Sequence, residues 1–494
     1  MKKYVFWFVT GSQHLYGDET LKEVASNSQK IVSFFNESDE IAYEVISKPT
    51  VKTPDEITEV CIAANADSTC AGIITWMHTF SPSKMWINGL KQLNKPMLHL
   101  NTQFNRDIPW DTIDMDFMNT NQSAHGDREH GFIGTRMGIA RKVIAGHYQD
   151  PKTIKRIGKW MNIAVVAFMG RDLKVLRFDD NMREVAVTEG DKVEAQIKLG
   201  WSINSYGIGD LVARMDQVTE EEIDALMEVY KEMYTIDEKV VADKDLFEAV
   251  RYQGKIEIAM KALLEEGGFG AFTDSFQVLH GMKQLPGLAT QRMMEAGYGF
   301  GGEGDWKTAA LTRVMKLMAN NKDTSFMEDY TYHFEPGNEM ILGAHMLEVC
   351  PTIAKDKPKI EVHPLGIGDK EAPARLVFNG KAGQAVCASL IDMGGRFRLI
   401  ILEVEAVELP HEMPKLPVAS VIWKPQPSMS VSAEAWIYAG GAHHTVFSYE
   451  VTTEDLIDWA DMMGIEYVLI NKDTNITQFK KELQLSDMLW KFRS

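Results

Sequence analysis

Four short segments each offer one metal-type ligand in an apolar or glycine-rich setting. They are Gly-Glu-Gly-Asp-Trp at 302–306, Ser-Phe-Met-Glu-Asp at 325–329, Gly-Ala-His-Met-Leu at 343–347 and Gly-Gly-Ala-His-His-Thr at 440–445. Together they supply Glu303, Glu328, His345 and one of the pair His443 and His444. Two carboxylates and two imidazoles suit a hard-to-borderline divalent cation such as Mn²⁺. Such a set leaves coordination positions for a hydroxylated substrate. If the segments converge, the chain is a metal-dependent enzyme acting on a small polar molecule.

Each residue also has a plainer reading. In Met327-Glu328-Asp329-Tyr330-Thr331-Tyr332-His333-Phe334 a strand puts Glu328 on the face of Tyr330, Tyr332 and Phe334, an apolar face expected to be buried. A carboxylate there needs a metal, a base, a proton, or a tyrosine hydroxyl. Glu303 lies between Gly302 and Gly304, where the backbone can approach a ligand closely; the alternative is an exposed turn. Asp305 is placed to cap the following helix. His345 could be a satisfied core histidine. Adjacent histidines on an extended strand face opposite ways, so only one of His443 and His444 is expected at a shared site.

The elements that must position these residues fall into three blocks. Residues 4–10 read as a buried strand ending in the loop 11–17. Further strands are expected at 41–46, 71–76 and 96–100, with helical patterns near 19–36, 54–64 and 82–93 between them. This alternation predicts a parallel α/β sheet, with the loops 11–17, 77–81 and 101–106 sharing the strand C-terminal edge where ligands bind. A helical stretch over 119–147 and a strand over 162–168 complete a first domain, 1–173. A second α/β domain, 174–323, carries a capping box at Thr219-Glu220-Glu221-Glu222, a helix from about Asp245 to the Gly267-Gly268 stop, a short strand at 270–273 and a helix after Asp305. A third block, 324–494, is rich in strands and turns, at 360–362, 374–378, 384–390, 396–407, 420–423 and 433–438. Asn379-Gly380 and Met393-Gly394-Gly395 mark turns, and a late helix at 454–463 and strand at 466–470 follow. The expected architecture is two open parallel-sheet α/β domains followed by a mainly antiparallel, barrel-like β domain.

Composition narrows the function. A net charge of −18 over 494 residues argues against nucleic acid, which needs a basic stripe. Four cysteines (Cys61, Cys70, Cys350 and Cys387) make neither a disulfide framework nor a zinc knuckle, which points to a reducing cytoplasm. The apolar run after Lys3 is shorter than a signal core, and nothing approaches a membrane span. Phosphate-loop and dinucleotide fingerprints are absent or wrongly placed. A non-catalytic sugar binder would need no buried glutamates, and a metal-dependent hydrolase would need an activated water in place of a bound diol.

Longer motifs carry a resemblance. Thr10-Gly11-Ser12-Gln13-His14-Leu15-Tyr16-Gly17, the segment 125–131, the run 302–310, the segment 325–334, His345-Met346-Leu347-Glu348-Val349-Cys350-Pro351 and His443-His444-Thr445 resemble the L-arabinose isomerases, in order and over the whole chain. The resemblance implies one Mn²⁺ per subunit held by Glu303, Glu328, His345 and His444. It implies Glu303 and Glu328 as the acid/base pair, and a sugar pocket involving Gln13, Leu15, His125, Met182, Phe276 and Ile367. It further implies a homo-hexamer in which a neighbouring subunit completes each site. The implied reaction is conversion of L-arabinose to L-ribulose, with D-galactose to D-tagatose as a side activity, by a metal-assisted ene-diol route or a hydride shift.

Overall fold

A computed structural model of the chain describes residues 4–367 and 369–492. It separates into two compact units, Met1–Met169 with Asp461–Gly464, and Gly170–Ala460 with Ile465–Ser494. In the first unit, strands β1 (Val5–Gly11), β2 (Glu44–Ser47), β3 (Cys70–Met77), β4 (Met97–Asn101) and β5 (Lys142–Ala145) form one sheet in the order 2-1-3-4-5. All its pairings are parallel. β1 and β3 are buried along their whole length, as expected of strands covered by helices on both faces. The loops after β1, β3 and β4 do share one edge. Ser12 and Thr79 hydroxyls meet at 2.7 Å, Gln13 Nε2 donates to the Phe80 carbonyl at 3.3 Å, and Trp76 Nε1 donates to the Thr102 carbonyl at 2.9 Å.

Two expectations for this unit are corrected. Residues 162–168 are not a strand but part of the helix Pro151–Gly170. Ile163, Ala164, Val165, Val166 and Ala167 are all buried, so the segment lacks the polar stripe that would reveal a helical period. The stretch 119–147 is two helices, Met115–Thr120 and Ser123–Arg136, followed by the edge strand β5.

The second unit contains a parallel sheet and a barrel. Strands β6 (Lys174–Phe178), β7 (Ser202–Tyr206), β8 (Ala271–Thr273) and β9 (Gly299–Gly301) pair in the order 9-8-6-7, all parallel. The helix Trp306–Met318 follows β9. It packs so tightly that a Cβ added at Gly299 would lie 2.1 Å from the Ala309 carbonyl oxygen and 2.6 Å from the Arg313 amide. Backbone atoms cannot yield as a side chain can. Gly299→Ala is therefore expected to lower stability by about 1–3 kcal/mol, read as a lower unfolding midpoint by circular dichroism. A midpoint equal to wild type would show that the helix can move away freely.

The barrel is built from β10 (Thr324–His333), β11 (Met340–Ala344), β12 (Gly383–Asp392), β13 (Phe397–Val407), β14 (Ser420–Pro425) and β15 (His444–Ser448). The antiparallel order 12-15-10-11-14-13 closes on itself through the long β12–β13 pairing. Strand β16 (Glu466–Ile470) adds to β13 in parallel. The segments Lys359–Val362 and Ala374–Val377 lie outside the barrel, in a small sheet with Thr235–Ile236. The capping box at Thr219 and the left-handed Gly268 stop form as read. The apolar run 435–438 is not a strand but the last part of the helix Met429–Ala439; its apolar residues, like those of 162–168, do not reveal their period.

Candidate metal centre

Three of the sequence-derived residues come together through strand register. Within the barrel, Glu328 of β10 pairs with His444 of β15 on one side and with Ala344 of β11 on the other. His345 follows Ala344 at the end of β11. Neighbouring antiparallel strands place paired Cβ atoms about 4.5–5.5 Å apart, so the pairing brings Glu328 and His444 together at one barrel rim, and His345 joins them from just past the end of β11. His345 Nε2 lies 3.9 Å from Glu328 Oε2.

Glu303 arrives from the parallel sheet, on the turn between β9 and the helix Trp306–Met318. Its φ is +60°, a left-handed value uncommon for a non-glycine residue. Its Oε2 lies 3.9 Å from His444 Nε2 and 3.2 Å from His443 Nε2. One ligand atom from each of Glu303, His443 and His444 falls within 4.8 Å of the others, a possible metal-binding group. Gly302 lines the same space: a Cβ there would stand 3.3 Å from His345 Nε2 and 3.4 Å from His444 Nε2.

Both histidines of the pair reach the site, contrary to the extended-strand expectation. β15 begins at His444, so His443 precedes the strand and is free of its alternation. Their rings lie 4.2 Å apart. They differ in environment. His444 is fully buried, and its Nε2 has no hydrogen-bond partner among the described residues. His443 is partly exposed and hydrogen-bonded to Glu303.

The outer nitrogens of two rings are tied to carboxylates. His345 Nδ1 is 2.5 Å from Glu348 Oε2, and His444 Nδ1 is 3.4 Å from Asp305 Oδ2. Such contacts fix the tautomer and aim the other nitrogen, as around metal-binding histidines generally. Asp305 caps its helix as the sequence suggests, accepting from the Thr308 amide. It also braces His444 and pairs with buried Lys307 at 3.1 Å. Glu348 was missed in the sequence, although its three-residue offset from His345 was a usable signal.

Charge follows from these contacts. The His443 hydrogen bond, with further attraction from His444 and His345, outweighs burial and holds the Glu303 carboxyl below the usual range. Burial pushes His444 down, which favours the neutral ring a metal requires. Burial would also push His345 down, but the Glu348 carboxylate beside it wins and raises it. The buried, unpartnered Nε2 of His444, the second imidazole facing it across Gly302 and the glutamates beside them fit a divalent cation of the Mn²⁺ type.

The face of Glu328 is not apolar and buried as expected. A bulge interrupts β10 between Asp329 and Thr331, and Tyr330, Tyr332 and Phe334 are 45%, 41% and 67% exposed. The remaining sequence-derived residues divide between the two units. In the first, Gln13 and His125 meet at Phe80, through the Gln13 side chain and a ring contact of 4.8 Å. Leu15 is 82% exposed on the turn His14–Tyr16. In the second, the Met182 amide donates to the Glu303 carbonyl at 2.9 Å. Phe276 packs on the core beneath the parallel sheet, and Ile367 is half-buried.

Known proteins resemble the chain throughout. Family models described as the L-arabinose isomerase N-terminal, central and C-terminal domains match residues 1–171, 174–321 and 323–466. The L-arabinose isomerase of Geobacillus stearothermophilus is 62% identical over 493 residues, covering 100% of this chain and 99% of its own. That of Bacillus subtilis (strain 168) is 59% identical over 492 residues, with the same coverage. With its barrel, its rim of glutamates and histidines, and this likeness from end to end, the chain belongs to the L-arabinose isomerase family.

Proposed function

We propose that this chain interconverts L-arabinose and L-ribulose, with D-galactose and D-tagatose as a secondary pair. The convergence of Glu303, Glu328, His345 and His444 on one rim carries the reading. In the reaction one hydrogen passes from C2 to C1 and one proton from O2 to O1. The redox change is internal to the sugar, so no nicotinamide or flavin is required.

Glu303, Glu328, His345 and His444 would hold one Mn²⁺ per subunit, which when bound polarises the carbonyl and hydroxyl oxygens of the open-chain sugar. Glu303 and Glu328 are the proton-moving pair in an ene-diol route, and positioned proton transfer of this kind is worth roughly 10²–10⁴-fold. In a hydride shift the same residues orient the sugar instead. Exchange of solvent deuterium into C2 during turnover would mark the first route, and its complete absence the second.

Gln13, Leu15 and His125 in the first unit and Met182, Phe276 and Ile367 in the second are the sugar-binding residues of this reading, in a hexamer where a neighbouring subunit supplies part of each pocket. Leu15, Tyr330, Tyr332 and Phe334 are exposed enough to meet a partner. The four unpaired cysteines accord with a reducing cytoplasm. Among the described residues no helix is long and apolar enough to cross a membrane.

The test is a ketose assay on a panel of aldopentoses, with chelator and with added Mn²⁺. Ketose should form from L-arabinose, cease with chelator and return with Mn²⁺. Full turnover in the presence of chelator, or no ketose from L-arabinose under any condition, would overturn the proposal.

A further inference from the structure

The turn that carries Glu303 is gripped by a second loop, residues 179–189, which follows β6. The Met182 amide donates to the Glu303 carbonyl at 2.9 Å. Asn181 Nδ2 donates to the Gly304 carbonyl at 3.1 Å and to the Thr188 carbonyl at 2.6 Å. Lys307 Nζ reaches the same Thr188 carbonyl at 2.9 Å and that of Glu189 at 2.8 Å. From the other side, the Gly304 amide donates to the Asp274 carbonyl at 2.8 Å. The fit is close: a Cβ at Gly304 would lie 2.5 Å from Asn181 Cα.

Asn181 is the hub of this grip. It is buried, and each polar atom of its amide is used. The nitrogen gives its two hydrogens to Gly304 and Thr188, and the oxygen accepts from Arg177 Nη1. Arg177 is itself fixed by Ser205 Oγ, at 3.1 Å from Nε and 3.0 Å from Nη2, and by Asp180 at 2.7 Å. Left-handed non-glycine residues occur on both loops, Asp179 (φ +55°) and Glu184 (φ +68°) on one and Glu303 (φ +60°) on the other. Such conformations persist only where the surroundings over-determine them. The bonds to Glu303 and Gly304 are what over-determine this turn.

We propose that Asn181 is a positioning residue for Glu303: braced by Arg177, its amide fixes the Gly304 carbonyl and with it the left-handed turn that presents the Glu303 carboxylate to the histidine rim. The inference rests on the reading of Glu303 as a ligand and reacting group. Asn181→Asp is the informative change. It keeps the shape and the contact with Arg177, but a carboxylate has no hydrogens for Gly304 and Thr188 and sets oxygen against oxygen at both. Supporting contacts around metal ligands are worth about 10–100-fold in affinity or activity.

The experiment measures Mn²⁺ dissociation constants by electron paramagnetic resonance, alongside kcat and KM for L-arabinose. It compares wild type, Asn181→Asp, Glu303→Ala and the double variant, each checked for folding by circular dichroism. Asn181→Asp should weaken Mn²⁺ binding about 10-fold or more and lower kcat more than it raises KM. The double variant should bind no more weakly than Glu303→Ala alone, because Asn181 acts through Glu303. Wild-type Mn²⁺ affinity and kcat in Asn181→Asp, or additive losses in the double variant, would sink the inference while leaving Glu303 in place. Wild-type Mn²⁺ affinity in Glu303→Ala would instead remove the reading on which it rests. Should Asn181→Asp not fold, the same comparison on Asn181→Ser decides, since its hydroxyl is too short to reach Gly304.

Discussion

Replacing Glu303 by alanine is expected to lower kcat by about 10²–10⁴-fold or more while leaving the circular dichroism spectrum unchanged. The loss follows from where the carboxylate stands. It contacts His443 and approaches His444, and their attraction keeps it ionised. No other side chain on the turn can take its place, because Gly302 and Gly304 flank it and Asp305 is engaged by Thr308, Lys307 and His444. The fold is spared because the turn is held through backbone atoms, the Glu303 carbonyl and both polar groups of Gly304. Alanine at this left-handed position has the same stereochemical cost as glutamate. Turnover within a few-fold of wild type would take Glu303 out of the mechanism.

A second large effect is expected far from the chemistry. Glu466, at the start of β16, has a side chain only 2% exposed. It bonds Arg396 at 2.9 Å, Arg398 at 2.9 Å and Ser486 at 2.5 Å. Arg398 continues to the Ala439 carbonyl at 2.9 Å and to Asp487 at 3.0 Å. One carboxylate therefore ties β13, β16, the helix Met429–Ala439 and the C-terminal helix Ile476–Lys491. Glu466→Ala leaves Arg396 and Arg398 with Asp487 as their one remaining carboxylate among the described residues and should cost about 1.5–3 kcal/mol, read from the shift in the denaturant midpoint.

The same contact makes a pH prediction. Burial would raise the Glu466 pKa, but the bonds from Arg398, Ser486 and Arg396 prevail and hold it below the usual carboxylate value. A depressed folded-state pKa means stabilisation that is fully present above the unfolded value of about 4.3. It is lost as pH falls through the lower folded value. The wild-type advantage over Glu466→Ala should thus be constant near neutrality and shrink in acid. An advantage unchanged across the acid range would show that the carboxylate's charge plays no part.

Legibility in the sequence followed the strength of local signals. Strands β1, β3 and β4 were readable because short apolar runs ended in polar loops, and β12, β13 and β14 because turn residues punctuated them, whereas β11 and β15 were not among the expected strands. The helix Trp306–Met318 was readable from its cap and its period. The runs 162–168 and 435–438 failed for one physical reason: a segment apolar on all sides has no phase, so strand and buried helix look alike. The exposed face of Tyr330 and Tyr332 failed because one extra residue in β10 resets the alternation, and no sequence pattern announces a bulge. At the site, Glu303, Glu328 and His345 stood out because charged or polar types interrupted small and apolar surroundings. The role of His443 depended on where β15 begins, a boundary that sequence patterns locate poorly. The grip of the loop 179–189 on Glu303 is made by an amide side chain and main-chain carbonyls, which carry no sequence signature.

The pairing of Glu328 with His444 across β10 and β15 limits how this chain can change. Side chains on a strand alternate between its faces, so removing one residue from Thr324–Glu328 or His444–Ser448 would invert every position beyond the cut. The ligands would then turn to opposite sides of the wall, with composition almost unaltered. Point substitutions here can be graded, but length changes are all-or-nothing. Among descendants of this sequence, insertions and deletions should therefore accumulate in connections such as 408–418 and spare these two strands.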